Sequence, residues 1–377
     1  MGKQYTSVLK NEFDTVLPHK HSKRSNFLRR LKSSLRNIFL YFIARLMRES
    51  TEPLPNLYAM KKILLVSVNQ RLGNSILITP AVSALTNALP NVQFTFVGGR
   101  HAKSILDGYA IKQIYTIQRI DTVLPQRLWR LIKLLRKEKY DATIHLSTST
   151  NSLGAYITYA SGTRHRIGCQ RNDGNILFTS VFKHPHSRHK VDQIMECMEQ
   201  IGIPALDERK IILKPKELLW AEDFFRQHIG NPSQKPIGIF TGGRQKKGKA
   251  WNLQSLGIIT NNLRARNIPI VIFIGPEEVK NETYIRSAMG DALYIKGTSV
   301  RETAALISKC KAVLTPDSGT MHLAIAAGTK TVALFSKPNF ERWGPKESHG
   351  KIIFDKGKTN TKDILDALLD YYTQCAA

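Results

Sequence analysis

The stretch Leu314-Thr-Pro-Asp-Ser-Gly-Thr-Met-His-Leu-Ala-Ile-Ala-Ala-Gly328 decides the fold. The residues Ala312–Thr315 predict a short buried strand, and Thr320–Ala327 predict the first turns of a helix. A strand that enters a helix through a Ser/Gly turn directs several backbone N–H groups at one point, with the positive end of the helix dipole behind them. The turn is therefore suited to a phosphate or a diphosphate.

Asp317 stands at the carboxyl end of the predicted strand. Its carboxylate cannot hold a phosphate, but it can accept hydrogen bonds from hydroxyl groups that are attached to one, which indicates a sugar nucleotide. The alternative is that Asp317 and Ser318 only cap the helix that follows. For Asp-Ser-Gly alone we would prefer the capping interpretation, and it is the other loops of the chain that favour the ligand site.

Composition narrows the class of protein. A chain of 377 residues with 42% apolar and 23% charged residues is globular and long enough for two domains. Its formal net charge of +27 predicts an anionic partner, which could be nucleic acid, acidic lipid or a phosphorylated substrate. The 4 cysteines have no paired spacing and predict reduced thiols. Without a spanning apolar run or a secretory signal, the chain is expected in the cytoplasm or on a membrane facing it.

Residues 1–60 predict a basic amphipathic N-terminal helical extension. Apolar residues recur at helical spacing from Leu28 to Leu46, and lysines and arginines flank them. This pattern is typical of a helix in the headgroup region of an acidic membrane, and equally of a helix docked on the protein's own surface. Glu52–Pro55 then predicts a linker.

From residue 61 onward, predicted strands alternate with helices, including one helix over 75–89, which indicates parallel sheets with right-handed crossovers. The basic residues 161–166 are interpreted as a loop. Residues 203–235, rich in proline, carry the boundary between domains 61–215 and 216–377. The predicted fold class is α/β, with two doubly wound, Rossmann-like domains that face a central cleft. Ligands bind such sheets at the carboxyl ends of the strands.

The loop Thr241-Gly-Gly-Arg-Gln-Lys-Lys-Gly-Lys249 follows a predicted strand and matches most of a P-loop. We reject a nucleoside triphosphatase, because Ala250 stands where a magnesium-binding hydroxyl is required and Trp251-Asn252 delays the helix beyond the lysine. A basic loop above a strand end still suits contact with phosphate, with Lys249 as the candidate ligand. The alternative is a solvated lysine turn.

Glu277 and Glu278 stand just beyond another predicted strand. An acidic side chain in that position can accept hydrogen bonds from a ribose diol, as in other doubly wound nucleotide sites. Each glutamate is equally interpretable as a partner for the dipole of the helix that follows.

Together, these motifs resemble glycosyltransferase family 9, the ADP-heptose lipopolysaccharide heptosyltransferases. The resemblance covers residues 61–345 and leaves out residues 1–60. The motifs that carry it are Leu72-Gly73 with Thr79-Pro80-Ala81, Thr241–Trp251, Gly275-Pro276-Glu277, and Asp317-Ser-Gly-Thr-Met-His322 with Trp343-Gly-Pro345. It implies a GT-B fold in which residues 61–215 bind the acceptor and residues 216–377 bind the nucleotide sugar. The last helix is then expected on the second domain, with packing back on the first as an alternative.

The resemblance also implies inversion at the anomeric carbon without a metal, and no cofactor is expected. It assigns Lys249 to the donor phosphates, Glu278 or Glu277 to the ribose, and Asp317 to heptose hydroxyl groups. Thr241 and Gly242 belong to the same predicted donor site. The predicted ligands of the diphosphate are the backbone N–H groups of Ser318, Gly319, Thr320, Met321 and His322. The His322 side chain is expected to pack and hydrogen-bond rather than to act as an acid or base.

One residue departs from the family pattern. After Leu72-Gly73 the family usually has an aspartate as candidate general base, whereas this chain has Asn74, and an amide cannot take the acceptor's proton at neutral pH. Another group could be the base, with Asp107, His145 and Asp141 as nominees. The departing diphosphate could instead carry the reaction while Asn74 orients the acceptor hydroxyl. Binding without catalysis is the third account, and we favour the second.

The predicted acceptor-binding residues are basic. Arg71 lies beside the first strand, and Arg164 and Arg166, together with Arg171, could bind phosphate and carboxylate groups of a core oligosaccharide. The alternative for this second group is a solvated basic loop. The histidines at 184–189 have no carboxylate or thiol nearby in sequence, so we expect a loop there and no metal site.

The sequence therefore predicts an inverting, metal-independent glycosyltransferase that moves heptose from ADP-heptose to the lipopolysaccharide inner core. Its expected partners are ADP-heptose or a related nucleotide sugar, the core acceptor, and the cytoplasmic face of the inner membrane. The alternatives are a catalytically silent sugar-nucleotide or glycolipid-binding protein, and a family 9 transferase for another sugar nucleotide. Nucleic-acid binding explains the charge but not the loops, and the aromatic–basic interleaving of a base-stacking surface is missing.

Overall fold

The computed structural model describes residues 52–118, 125–148, 152–170, 177–229, 234–242, 252–354 and 361–373. Most of the predicted N-terminal extension, Lys249 with its loop, Arg171 and Cys375 lie outside these residues. The strands are β1 (Lys62–Ser67), β2 (Gln93–Gly99), β3 (Gln113–Ile117), β4 (Ala142–His145), β5 (His165–Cys169), β6 (Ser180–Phe182), β7 (Ile237–Phe240), β8 (Ile270–Ile274), β9 (Leu293–Lys296), β10 (Ala312–Pro316), β11 (Lys330–Phe335) and β12 (Gly350–Phe354).

Helices connect these strands. They are α1 (Leu72–Leu77), α2 (Thr79–Ala88), α3 (Ala102–Leu106), α4 (Pro125–Glu138), α5 (Ser152–Ala160), α6 (Lys190–Gln200), α7 (Pro215–Ile229), α8 (Leu253–Arg264), α9 (Glu282–Met289), α10 (Val300–Ser308), α11 (Gly319–Ala326), α12 (Phe340–Trp343) and α13 (Thr361–Thr373). Among the helices described, none combines the length and apolarity required to cross a bilayer. The described cysteines Cys169, Cys197 and Cys310 are buried and form no disulfide.

The strands form two six-stranded sheets in which the pairs are parallel, with the orders β3-β2-β1-β4-β5-β6 and β12-β11-β10-β7-β8-β9. Each is the doubly wound order, and the direction of winding reverses between β1 and β4 and between β7 and β10. Strands such as β8 are buried along their whole length, because helices cover both faces of the sheet. The prediction of two doubly wound α/β domains is confirmed. Below, the first domain is β1 to α6 and the second is α7 to α13.

The helix predicted over 75–89 is two helices, α1 and α2, with a break at Ile78. Pro80 has no N–H to donate to the carbonyl of Ile76, so a continuous helix would lose that hydrogen bond. The Thr79 hydroxyl donates to the same carbonyl instead, at 2.8 Å. The proline is therefore tolerated in the first turn of α2.

One further prediction differs from the structure. Residues 161–166 are not only a loop, since β5 begins at His165, which pairs with Ala142 of β4. Residues 203–235, predicted to carry the domain boundary, contain the long helix α7. The last helix, α13, packs on the second sheet: Ile364 and Leu368 lie in one apolar cluster with Ile239 and Leu314. Packing of α13 back on the first domain is therefore not observed, because its apolar face is used in its own domain.

The segment between α6 and α7 joins the domains. The backbone N–H of Lys210 donates to Thr79 Oγ1 of the first domain at 3.2 Å. The next residue, Ile211, donates its N–H to the carbonyl of Ala326 in the second domain at 3.0 Å. Consecutive residues of the connection therefore fix the start of α2 and the end of α11 relative to each other.

Candidate active site

The reversal point of the second sheet lies between β7 and β10. The strands pair in register, Leu314 beside Ile239, so their carboxyl ends meet at one edge. The chain leaves β7 into Thr241-Gly242 and leaves β10 into Asp317-Ser318. Two loops that are distant in the sequence therefore lie next to each other where doubly wound sheets bind ligands.

The turn after β10 has a defined hydrogen-bond pattern. Ser318 caps α11, since its Oγ accepts from the N–H of Thr320 at 3.3 Å, and the two hydroxyl oxygens lie 2.6 Å apart. Asp317 donates its N–H to the carbonyl of Leu334 at 2.9 Å, and its carboxylate accepts from Asn339 Nδ2 at 3.3 Å. The helix cap is thus made by Ser318, while the Asp317 carboxylate points to another element.

Glu278 lies directly over the end of β7. A Cβ placed on Gly242 would be 1.7 Å from Glu278 Oε1, and one on Gly275 would be 2.5 Å from Oε2. Burial of this carboxyl group, and to a smaller extent the charge of Glu277, raises the pKa of Glu278. Because Glu277 is exposed, Glu278 is the better placed of the two predicted ribose ligands.

Two side chains of the predicted donor site have distinct environments. Thr241 is buried, and its Oγ1 has no hydrogen-bond partner among the described residues, so a ligand hydroxyl or phosphate oxygen could pair with it. Met321 is fully buried in a cluster with Ile325 and Phe335. Only the backbone of Met321 is available to a ligand.

His322 joins the domains by packing. It is 5% exposed, and a Cβ on Gly73 would lie 2.5 Å from its Cδ2. Burial lowers the pKa of His322 to about 3, and the charges of Arg209 and His189 add to the effect. The ring is therefore neutral at physiological pH, which agrees with a packing role and not with acid–base chemistry.

The first domain meets the second at the start of α1. Arg71 precedes α1 and is exposed, and Asn74 is partly buried in its first turn. A Cβ on Gly319 would lie 3.0 Å from the Cβ of Leu72. The structure therefore brings the Leu-Gly-Asn sequence of the first domain against the Ser-Gly turn of the second.

The three nominees for an alternative base are poorly placed. Asp141 accepts from the backbone N–H groups of Lys61 and Lys62, at 2.8 Å each, which lowers its pKa and fixes it at the amino end of β1, opposite the cleft. Asp107 forms an ion pair with Lys214 at 2.8 Å. His145 is 2% exposed and stacks on a phenylalanine. Asp141 therefore lies at the opposite end of β1 from α1, while Asp107 is paired with a cation and His145 is buried.

Arg164 and Arg166 do not lie with the other site residues. They are at the amino end of β5, where Arg166 pairs with Thr143, so they occupy the edge of the sheet opposite the cleft. Arg166 Nε and Nη1 donate to the carbonyls of Leu177 at 3.0 Å and Thr163 at 2.8 Å. This placement argues against acceptor binding by either arginine.

Lys190 lies in the segment from His189 to Asp192, which also resembles the interdomain region of family 9, but no role in the site was predicted for it from the sequence. It is partly buried at the start of α6, and its Nζ donates to Thr148 Oγ1 and, at 2.7 Å, to Gln193 Oε1. Thr148 follows β4 at the reversal point of the first sheet. The signal in the sequence was a lysine in the first turn of a helix, where a cation opposes the helix dipole.

Among the described residues, no group of three or more histidine, cysteine or acidic side chains is arranged to hold a metal ion.

The sequence profile of glycosyltransferase family 9 (heptosyltransferase) matches residues 128–371. The chain belongs to glycosyltransferase family 9. It is therefore a glycosyltransferase, as the motifs predicted.

Relatives of known structure have the same architecture. The family 9 glycosyltransferase of Veillonella parvula superposes with a TM-score of 0.74 at 19% identity, covering 85% of this chain and 99% of its own. Escherichia coli heptosyltransferase WaaC with ADP superposes with a TM-score of 0.64 at 14% identity, covering 82% and 99%. These similarities confirm the GT-B fold.

A curated relative is similar in sequence. The lipopolysaccharide core heptosyltransferase OpsX of Haemophilus influenzae is 23% identical over 276 residues, which is 70% of this chain and 76% of the relative. Lipooligosaccharide heptosyltransferase 2 of the same organism is 25% identical over 239 residues, covering 60% of this chain and 68% of its own.

Proposed function

We propose that this family 9 glycosyltransferase moves heptose from ADP-heptose to the inner core of lipopolysaccharide, with inversion and without a metal ion. The observation that carries the proposal is the meeting of three parts at one edge: the Ser318 turn, Gly242 with the Glu278 carboxylate over it, and Asn74 on α1. The relatives support the choice of sugar, because WaaC of E. coli has been solved with ADP and with ADP-2-deoxy-2-fluoro heptose.

The donor would be held by the second domain. Its ribose hydroxyls would donate to the Glu278 carboxylate, which favours the ionised carboxylate and offsets the effect of burial. The diphosphate would accept from the backbone N–H groups of the turn that begins at Ser318 and from Lys249. Asp317 would accept hydrogen bonds from hydroxyl groups of the sugar, as its position beside that turn allows.

Transfer would be a single displacement. The acceptor hydroxyl oxygen forms a bond to the anomeric carbon while the bond from that carbon to the diphosphate oxygen breaks, so the configuration inverts and ADP leaves. The backbone N–H groups of the turn stabilise the charge that develops on the departing oxygen. Asn74 accepts from the acceptor hydroxyl and orients it, and the proton passes to water or to the departing phosphate.

The protein would work on the cytoplasmic face of the inner membrane. Helix α4 supports this placement, since Trp129 is 64% and Leu134 is 51% exposed on its outer side. The exposed cations Arg130, Lys133 and Lys137 surround them, and Lys133 Nζ lies 5.5 Å from the centre of the Trp129 ring. Aromatic and basic side chains on one helix face suit the interface of an acidic membrane.

Flotation with vesicles tests the membrane surface. Wild-type protein should float with vesicles that contain phosphatidylglycerol and remain unbound to neutral phosphatidylcholine vesicles. The variant Trp129→Ser with Leu134→Ser should lose most of the binding, because it removes the apolar side chains and leaves the cations. A matched control is Leu219→Ser, at an exposed position on α7. Equal binding of all three proteins would contradict a role for α4.

Thermal denaturation with ligands tests the donor site. ADP should raise the melting temperature, and ADP-heptose should raise it further. Asp317→Ala should keep the effect of ADP and lose the added effect of ADP-heptose, whereas Asp370→Ala, a substitution on the surface of α13, should keep both. If other nucleotide sugars stabilise better than ADP-heptose, the protein uses a different donor.

The silent-binder alternative rests on Asn74. Asn74→Asp restores a carboxylate at the position of the family's candidate base, and we expect transfer to a heptose-deficient core to be kept or raised. If neither form transfers any sugar although both bind ADP-heptose, the protein is a binder and the proposal fails.

A further inference from the structure

Lys190 is held in place by neutral groups. Its Nζ donates to Thr148 Oγ1 and to Gln193 Oε1, the latter at 2.7 Å, and the Thr148 hydroxyl also donates to Gln193 Oε1, at 3.3 Å. Gln193 in turn donates from Nε2 to the carbonyl of Ser187 at 2.8 Å. The ammonium group is therefore fixed at the carboxyl end of β4 and does not move freely in solvent.

The ammonium group of Lys190 has no acidic partner within the described part of the chain, where no carboxylate forms an ion pair with it. Burial lowers its pKa, and the Arg342 guanidinium of the second domain lowers it further. The residue also stands at the positive end of the α6 dipole, where a cation is unfavourable.

Other partly buried lysines show the contrast. Lys346, also partly buried between the domains, pairs with Asp192 at 2.6 Å and with Asp207 at 3.4 Å. Lys214 pairs with Asp107 at 2.8 Å. A partly buried cation without an acidic partner destabilises the folded state. Residues that are unfavourable for stability in this way are expected at functional sites.

Lys190 is held at a position where the fold favours ligand binding, because its Nζ donates to Thr148 Oγ1. Thr148 lies where the winding of the first sheet reverses, the position at which doubly wound sheets bind ligands. The second domain contributes Arg342 from across the cleft.

We propose that Lys190, positioned by Thr148 and Gln193, binds an anionic group of the acceptor, a sugar carboxylate or a phosphate monoester. This inference rests on the proposed function, because it assumes an acceptor that carries such groups. The donor diphosphate is assigned to the other sheet, so the two ligands bind at the reversal points of their own domains. The anionic group supplies the missing counter-charge and fixes the acceptor with its hydroxyl toward the donor.

Acceptor kinetics test the assignment. For Lys190→Gln, the KM for a heptose-deficient core oligosaccharide should rise about tenfold or more, the loss expected for one charge-assisted hydrogen bond. The KM for ADP-heptose should not change, and Lys190→Arg should recover part of the acceptor affinity. The matched control is Lys183→Gln, an exposed lysine before α6, which should behave as wild type. A raised KM for ADP-heptose would overturn the proposal in favour of a donor role.

Modified acceptors identify the anionic group. A core oligosaccharide with its carboxyl groups reduced, and another with its phosphates removed, should be compared by calorimetry with the unmodified core. Wild-type protein should bind one of the two modified cores more weakly, and Lys190→Gln should bind that one and the unmodified core equally. If the variant still discriminates between all three as the wild type does, Lys190 is not the ligand.

Two further readouts separate acceptor binding by Lys190 from a purely structural role. A structural lysine would give a lower melting temperature on substitution and an unchanged acceptor affinity. We expect the opposite, because Lys190→Gln removes an uncompensated charge and should not lower the melting temperature. Binding of the core is measured without turnover, so absence of transfer by the wild type would refute the proposed function while the calorimetry still decides on Lys190.

Discussion

Gly73 and His322 touch across the two domains with no room for a methyl group between them. A Cβ on Gly73 would lie 2.5 Å from His322 Cδ2, closer than real side-chain contacts. Gly319 of the second domain is packed equally closely against the first domain, since a Cβ added to it would lie 3.0 Å from the Cβ of Leu72. Helices α1 and α11, one from each half of the site, therefore meet through glycine backbone.

Gly73→Ala is expected to reduce transfer strongly while the protein remains folded. The added methyl group must displace α1 from α11, with an overpacking cost of about 1–3 kcal/mol, and it moves Asn74 away from the donor turn. Gly202→Ala is the matched control. The φ of +80° at this position is strained for alanine, which costs about 1–2 kcal/mol, but the added methyl group would have no atom within 4 Å. Comparable losses of transfer in both variants, measured beside urea unfolding, would contradict the account.

Glu278→Gln and Gly242→Ala should weaken ADP binding by the same route. The methyl group that Gly242→Ala adds would occupy the position of Glu278 Oε1, so each change removes the same carboxylate from the site. Each should raise the Kd of ADP by about tenfold, and the double variant should be no weaker than either single one. Calorimetry checks this, with exposed Glu277→Gln as control. Multiplied effects in the double variant, or an equal effect of the control, would be inconsistent with the assignment.

His322 gives the folded protein a defined pH dependence. Its pKa is about 3 in the folded state against 6.5 without burial, so the unfolded chain binds a proton first as the pH falls. The stability is fully present above pH 6.5 and is lost between pH 6.5 and 3, at up to about 1.4 kcal/mol per pH unit. His322→Gln should flatten this part of the curve of unfolding free energy against pH, while exposed His186→Gln should not. Parallel curves of unfolding free energy against pH for His322→Gln and wild type would contradict this role of His322.

Arg301 holds α10 against the first domain. Its Nε and Nη2 pair with the Glu217 carboxylate at 2.6 Å each, and its guanidinium also donates to the carbonyls of Ser104 at 2.9 Å and Ile212 at 2.7 Å. Arg301→Ala should lower the free energy of unfolding by about 2–4 kcal/mol, because Glu217 and these carbonyls lose their partner. Arg286→Ala, which removes an exposed ion pair, should cost less than about 1 kcal/mol. Similar urea midpoints for the two variants would refute the interdomain role.

Much of the fold follows from the sequence because local pattern and tertiary structure agree. The apolar run Ile270–Ile274 is β8, and Asn252 caps α8 with its side chain accepting from Gln254 N–H at 3.0 Å. The helix α7 was missed, since it begins at Pro215, and a proline that suits the first turn of a helix resembles a boundary in a proline-rich segment. The strand β6 has only three residues and no recognisable period.

The candidate site also has features that could be predicted from the sequence and features that depend on tertiary packing. The geometry of the turn at Ser318 could be predicted, because one continuous stretch forms it. The preference for Glu278 over Glu277 could not, since it depends on how the carboxylate packs over Gly242 from a neighbouring strand. The position of Arg166 was equally inaccessible, because only the sheet register places it at the amino end of β5. Lys190 acquires its environment from Thr148, which lies on another element.

The most direct test of the central claim is mass spectrometry of a heptose-deficient core oligosaccharide after incubation with purified protein and ADP-heptose. We expect a product heavier by one heptose residue, with release of one ADP for each product molecule, and loss of both in Asp317→Ala. An unchanged acceptor mass with ADP-heptose, together with transfer from a different nucleotide sugar or from none, would contradict it.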